Sequence, residues 1–401
     1  MRHAGLLGAV LVPLLAIGCS RNQLIDVAMR GAEHVRTPPA MRVGDRWVLG
    51  GDLHCHILPP DSPHHVSRGL AETVALAKKE GLDFVVLTPH VPPRFFVAEG
   101  HREWMLETQL ALRTQLAALH PELVVIPGME YTDHRFGHVG MSFANPADVL
   151  AELPIDEASR HPERFFERWA ARGGLVTINH PVNRPLVNAP FHELRNDMSW
   201  RAFAGRTTPS EISWITEHAQ AIETFNESIT HLRDQFLVGE EDRSLREAAH
   251  LVDRTSRQQR RKIAAVGGSD SHGQWLRATT FVLASERSQQ AIRDAIADAR
   301  TCVRGPEACS LQVRAPGGAW QGVGDSLATE APALEARATG ADAAYVVNGV
   351  IVKAGGSDET VSLPIPANRC TIVRAIVGRS WSSGVYVNCP FASPGAAALH
   401  D

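Results

Sequence analysis

Gly51-Asp52-Leu53-His54-Cys55-His56-Ile57-Leu58-Pro59-Pro60-Asp61 closes the apolar run that begins at Val48 and sets two imidazoles and a carboxylate within one short segment. The stretch Val48 to Leu53 reads as a strand. Side chains alternate between faces along a strand, so His54 and His56 share a face while Cys55 points away from it. An isolated pair of this kind is often no more than two exposed loop histidines. Its weight comes from the polar residues that recur at later strand ends.

Working outward, short apolar runs recur at Phe84 to Leu87, Val124 to Ile126, Val139 to Phe143, Leu175 to Ile178, Ala221 to Thr224 and Ile263 to Val266. Between several of them lie stretches with apolar residues at three- and four-residue spacing, namely Gly69 to Lys79, Arg102 to Leu119 and Pro162 to Arg172. This alternation predicts an α/β fold with a parallel β/α layer or barrel. Nearly every run leads into a polar cluster: Thr88-Pro89-His90, Gly128-Met129-Glu130, Asn179-His180-Pro181, Phe225-Asn226 and Gly268-Ser269-Asp270-Ser271-His272. Strand C-termini converge on one rim in such folds, so these scattered positions are expected to meet. The expected metal ligands are His54, His56, Asp61, His90, Glu130, His138, His180, Asp270 and His272. Imidazole mixed with carboxylate suits zinc, manganese or iron(II).

The series resembles the polymerase and histidinol phosphatase (PHP) family of metal-dependent hydrolases, over roughly Gly51 to Gly273. His54, His56 and Asp61 match its opening motif, Glu130 its bridging carboxylate and Asp270-Ser271-His272 its closing one. Thr88-Pro89-His90 keeps the histidine of a TDH-like sequence but has Pro in place of Asp. The resemblance implies a distorted (β/α)7 PHP-type barrel over residues 45–304 and two or three divalent metal ions. One ion would take His54, His56, Glu130 and Asp270, a second Asp61, His90 and His272, and a third Glu130, His138 and His180. Glu130 and Asp270 are then the expected catalytic carboxylates. Closely spaced cations lower the pKa of a shared water from about 15.7 towards about 7, so no side-chain nucleophile is required. Ser269 and Ser271 read as turn residues.

With 401 residues, 44% hydrophobic and 21% charged, the composition is that of a folded globular protein. A formal charge of -4 and the lack of a dense basic run argue against a nucleic-acid partner. Arg2, the apolar run Ala4 to Ile17 and Gly18-Cys19-Ser20 have the form of a secretory signal over residues 1–18. Leu15-Ala16-Ile17-Gly18-Cys19 resembles a lipobox, which implies a lipidated Cys19, a membrane contact through that anchor alone, and a place in the bacterial periplasm or outer membrane. In such an oxidising compartment disulfides persist. Proximity suggests Cys302 with Cys309 and Cys370 with Cys389, leaving Cys55 alone, although spacing does not fix connectivity.

After the helix-like Gln289 to Arg300, short alternating runs rich in Gly, Ala and Val predict a small C-terminal β domain over residues 305–392. Residues 187–218, with Trp200, Phe203 and Trp214, read either as a lid or as a packing excursion. Substrate contacts are sought at Arg94 and Arg184, which follow ligand-bearing segments, and at Asn226, at the end of the sixth apolar run. His64, His65, Asp133 and His134 are expected to be solvent-exposed.

The favoured reading is a phosphoesterase acting on a small molecule. A carboxyl ester, carbamate or amide hydrolase is the alternative, through resemblance to the carbamate-hydrolase branch of the family. A cell-surface binding protein on a metal-stabilised scaffold is the alternative from another class. The sequence leaves the oligomeric state open.

Overall fold

The computed structural model describes Met29 and residues 36–93, 99–117, 119, 122–186, 195–234, 239–340 and 342–391. The expected signal segment with Cys19, and Arg94, lie outside the described residues.

The fold is mixed α/β. The chain enters through the short strand β1 (Met41–Val43), which pairs antiparallel with β2 (Arg46–Cys55). From Val48 onward β2 is buried, as befits a strand with neighbours on both sides. β2 runs parallel to β3 (Phe84–Leu87); β4 (His90–Val91) follows it in the chain, and β3 in turn pairs parallel with β5 (Val124–Ile126). Helix α1 (Leu70–Lys79) makes the first crossover and α2 (Glu99–Ala117) the second.

A second sheet begins with β6 (Gly128–Asp133) and β7 (Gly137–Ser142), continues after helices α3 (Pro146–Glu152), α4 (Ile155–Arg160) and α5 (Glu163–Ala171) with β8 (Leu175–Ile178), and is completed by β9 (Ala221–Asn226) and β10 (Ala264–Gly268). Its order is β10-β9-β8-β7-β6-β4. Helices α6 (Ser210–His218), α7 (Glu227–Asp234) and α8 (Glu240–Gln259) join its later strands.

All seven runs singled out in the sequence form strands, but the parallel expectation fails at β7, which is antiparallel to both β6 and β8. Only three residues separate β6 from β7, far too few for a crossover helix, so the chain can only reverse as a hairpin. Asp133 Oδ1 accepts from the Arg135 N–H in that turn, and Asp133 is buried rather than solvent-exposed.

The described strands form separate ladders, not one closed barrel. β2 and β10 lean together through the isolated Cys55–Ser271 bridge, with the His56 N–H donating to Ser271 O at 3.2 Å and the Asp270 N–H to His54 O at 2.8 Å. These bonds bring the ends of the two sheets to one place.

On its other edge β2 pairs with β11 (Thr280–Ala284), which is followed by α9 (Gln289–Ala297) and by β12 (Thr301–Val303), antiparallel to β11. The sheet then continues past residue 304 through β13 (Thr371–Val377), β14 (Ser380–Ser382) and β15 (Val385–Val387). Val48, Phe281 and Leu283 share one core cluster with Leu311, Leu334, Tyr345 and Val373. Disulfides join Cys302 to Cys309 and Cys370 to Cys389, and Cys55 is free.

In residues 195–218, the described end of the irregular stretch, Trp200, Ile212 and Ile215 pack into the core while Ala204 to Thr207 are exposed. Trp200 is buried, its Nε1–H donates to Thr216 Oγ1 at 3.0 Å, and Ile212 and Ile215 are fully buried. No helix among the described residues is long and apolar enough to cross a membrane.

Candidate metal centre

The strand ends bring the expected ligands together. His54 and His56 leave β2 on the same side, with their Nε2 atoms 3.2 Å apart. Cys55 turns the other way, towards Leu70, Ala77 and Leu87, where Arg68 Nη2 donates to its sulfur. Glu130 projects from β6 and His90 from β4, directly paired in register. His138 comes from β7, His180 follows β8, and Asp270 and His272 follow β10.

Among the described residues, three groups have possible ligand atoms within 4.8 Å of one another: His56, His90 and His272; His54, His56 and Asp270; and Glu130, His138 and His180. The third is the grouping the sequence resemblance implied. Asp61 differs from its expected grouping. Its Oδ2 lies 3.2 Å from His56 Nδ1 and its Oδ1 2.8 Å from His90 Nδ1, so it spans two imidazoles while His56 joins His90 and His272. The His90 N–H also donates to Asp61 Oδ1, at 2.9 Å, which draws that oxygen towards the backbone of β4.

Glu130 stands at the middle. Its Oε1 is 3.1 Å from His54 Nε2, 3.4 Å from His138 Nδ1 and 3.7 Å from His180 Nε2, and its Oε2 is 3.6 Å from His90 Nε2. Asp270 Oδ1 approaches His56 Nε2 at 3.3 Å and His54 Nε2 at 3.5 Å. Burial alone would raise the carboxyl pKa of Glu130, but His138 and His54 beside it hold it well below its ordinary value. Asp270, facing His54, His56 and His272, and Asp61, facing His90 and His56, are likewise depressed against the effect of burial. Burial would lower His54, yet Asp270, Glu130 and Glu223 carry it well above its usual value, and His90, opposed by Asp61, rises to about 9. His272 goes the other way: burial and the neighbouring His56 push it well down.

The donor set fits a divalent transition metal. It mixes imidazole with carboxylate, and its one nearby thiol faces away. His138 Nε2 and His180 Nε2 are buried without a hydrogen-bond partner, a condition that costs about 1–3 kcal/mol per group and that a bound cation would relieve for such nitrogens. Two of these residues also hold positive φ without being glycine, His180 at 27° and Asp270 at 52°, and such backbone persists where surrounding bonds enforce it.

Other expected site residues are placed differently. Asn226 Nδ2 donates to Glu223 Oε2 at 3.2 Å and Asp270 Oδ2 at 3.1 Å, while its Oδ1 accepts from the Ile229 N–H, so its amide is engaged within the protein. The Arg184 guanidinium pairs with Glu247 at the surface. Ser269 Oγ donates to Asp52 Oδ2 and Ser271 Oγ to Trp275 O, in keeping with turn residues. His64, His65 and His134 are exposed.

Sequence reasoning missed Asn179, whose Nδ2 donates to Glu130 Oε1 at 2.8 Å, and Glu223, whose Oε1 receives His54 Nδ1 at 3.1 Å. It also passed over Asp52, pushed up to about 7 by burial despite bonds from Ser269 and His54. Glu223 had a usable signal: a lone acid within Ala221-Ile222-Glu223-Thr224-Phe225 is a buried charge that must find donors.

No family model and no curated protein matches the chain. Among solved structures it is similar to a two-domain protein from Bacteroides vulgatus ATCC 8482, described as containing a predicted PHP-like metal-dependent phosphoesterase, at 17% identity and a TM-score of 0.44 over 89% of this chain and 99% of that one. It is also similar to PsfC from Pseudomonas syringae PB-5123, at 15% identity and a TM-score of 0.33, over 59% of this chain and 82% of that one.

Proposed function

We propose that this protein is a metal-dependent hydrolase of the PHP kind, its two ladders forming a distorted (β/α)7 arrangement around a di- or trinuclear centre, and that it is a phosphoesterase. The observation that carries the reading is the single buried carboxylate of Glu130, with imidazole nitrogens of His54, His90, His138 and His180 between 3.1 and 3.7 Å from its two oxygens. In this reading His54, His56, Asp61, His90, Glu130, His138, His180, Asp270 and His272 hold two or three zinc, manganese or iron ions. Such ions, when bound, supply Lewis acidity and lower the pKa of a bound water from about 15.7 towards about 7.

The chain's own residues do the rest. Asn226 holds one oxygen of Asp270, leaving Oδ1 facing His54 and His56. Asn179 donates to Glu130 Oε1, the oxygen that His54, His138 and His180 also approach, and so fixes the carboxylate among them. His54 and His56 are almost wholly buried, while the side chains of His90 and His272 are each 25% exposed, so a substrate approaches from their side. The hydroxyls of Ser269 and Ser271 are bound to other groups, in keeping with a water nucleophile. A centre of several cations suits the charge of a phosphoester.

Hydrolysis of a carboxyl ester, carbamate or amide is the second reading. The surface position of Arg184 favours it, because that guanidinium is engaged with Glu247 instead of offering an anion site. The binding-module reading has less support: Tyr345 and Tyr386 are core residues, and Trp320 lies between the guanidinium groups of Arg314 and Arg337. Two disulfides fit an exported protein, anchored by Cys19 in the periplasm or outer membrane.

Activity on p-nitrophenyl phosphate, bis-p-nitrophenyl phosphate and p-nitrophenyl acetate tests the reading, beside an Asp270→Ala variant. Phosphoester turnover that falls at least about 100-fold in the variant is expected. Turnover of the acetate alone would move the assignment to the second reading, and no metal-dependent turnover of any of the three would contradict the phosphoesterase assignment.

A further inference from the structure

Glu223 is buried inside β9 and is not among the ligands assigned above. Three donors converge on its carboxylate. Oε1 lies 3.1 Å from His54 Nδ1; Oε2 accepts from the His180 N–H at 2.7 Å and from Asn226 Nδ2 at 3.2 Å. Each donor belongs to a ligand or to the residue that holds one. A carboxylate facing an imidazole nitrogen accepts, so His54 holds a proton on Nδ1 and leaves Nε2, facing Glu130, Asp270 and His56, as the nitrogen that would bind a cation. The bond to the His180 N–H fixes a backbone that sits at a φ of 27°. Asn226 carries the link on to Asp270.

Space for this arrangement is provided by Gly268 on the neighbouring strand β10, paired in register with Asn226. A Cβ there would fall on Glu223 Oε1 and on His54 Cβ, so any side chain at 268 would drive the carboxylate and the imidazole apart. The absence of a side chain and the presence of an acid in mid-strand are two separate features of the sequence that serve one contact.

We propose that Glu223 is a positioning residue of the metal centre: one buried carboxylate sets the tautomer of His54, the backbone of His180 and, through Asn226, the orientation of Asp270. The inference rests on the metal-centre reading. Glu223 bonds to His54 and to the His180 N–H, in the groups His54, His56, Asp270 and Glu130, His138, His180, whereas its hydrogen bonds among the described residues do not include His90 or His272 of the group His56, His90, His272. Its removal therefore weakens some sites and spares another, which a general loss of stability would not do.

The test uses the full-length protein, Glu223→Gln and Gly268→Ala, titrated with Zn2+ against a chromophoric chelator and with Co2+ followed by its visible absorption. An amide at 223 must turn an N–H towards one of the three donors while keeping the shape of the side chain. The expected result is a rise of about 10–100-fold in the dissociation constant of the affected sites, with one class of site within about twofold of the parent protein. Gly268→Ala should weaken the same class. Unchanged affinities in Glu223→Gln, or equal weakening of every site together with a lower Tm of the metal-free protein, would overturn the proposal. Should Glu223→Gln not fold, unchanged affinities in Gly268→Ala would overturn it equally. A parent protein that takes up no metal sinks the metal-centre reading itself, which separates the two failures.

Discussion

Cys55 stands between two ligand histidines and yet belongs to the opposite face of β2, a consequence of strand alternation that the sequence alone made legible. Burial pushes its thiol up to about 11, with Arg68 opposing. Thiolate is the reactive species, so this cysteine should be inert in the folded protein. In a Cys19→Ser variant, Ellman's reagent at pH 8 should find no reactive thiol under native conditions and one per chain in guanidinium; rapid native reaction would contradict the placement. His54, His90, His180 and His272 were readable because each stands just beyond an apolar run, whereas His138 opens the reversed strand β7. Asn179 and Glu223 were not read, since both act through other ligands, and a single Asn or Glu carries no spacing to recognise. Asp61 was expected at the site from its place five residues after His56, but its reach to both His56 and His90 depends on the backbone of β4, which only folding supplies.

The β6–β7 hairpin carries Glu130 on one strand and His138 on the other, so its turn controls the centre of the site. Gly137 closes that turn at a φ of 112°, and a Cβ there would lie 2.8 Å from Trp200 Cε3 and 3.1 Å from Ser199 O. Gly137→Ala should destabilise the protein by roughly 1–3 kcal/mol and lower metal occupancy; an unchanged Tm in thermal unfolding would contradict it. The antiparallel course of this hairpin is the part of the topology that apolar runs could not reveal. Runs report strands, not their direction, and the clue to direction was the three-residue gap, too short to hold a helix. The stretch from 195 to 218 shows the same limit. Its tryptophans and isoleucines fit a lid or a core, and only the bond from Trp200 to Thr216 with the burial around it decides for the core.

Across the whole molecule, one sheet crosses residue 304 and one core cluster joins strands from both sides of it, a continuity that the change in composition there did not disclose. The titrating groups of the site give this unit a pH signature. His54, His90 and His180 have raised folded values, so in the metal-free protein their contribution is fully present below about 6.5 and is lost as pH climbs, through about 9 for His90. His138 and His272 are lowered and already neutral in that window. Metal binding reverses the sign, because imidazole must shed its proton to bind a cation. Tm should therefore fall between pH 6.5 and 9 without metal and hold or rise with it; parallel curves would contradict this. The most direct test of the metal centre is the number of divalent metal ions retained per chain, measured by plasma mass spectrometry on the purified protein and on Asp270→Ala. Two or more per chain in the parent, with fewer in the variant, is the expected result; a parent chain that retains none and takes up none when supplied with zinc, manganese or iron would contradict the account.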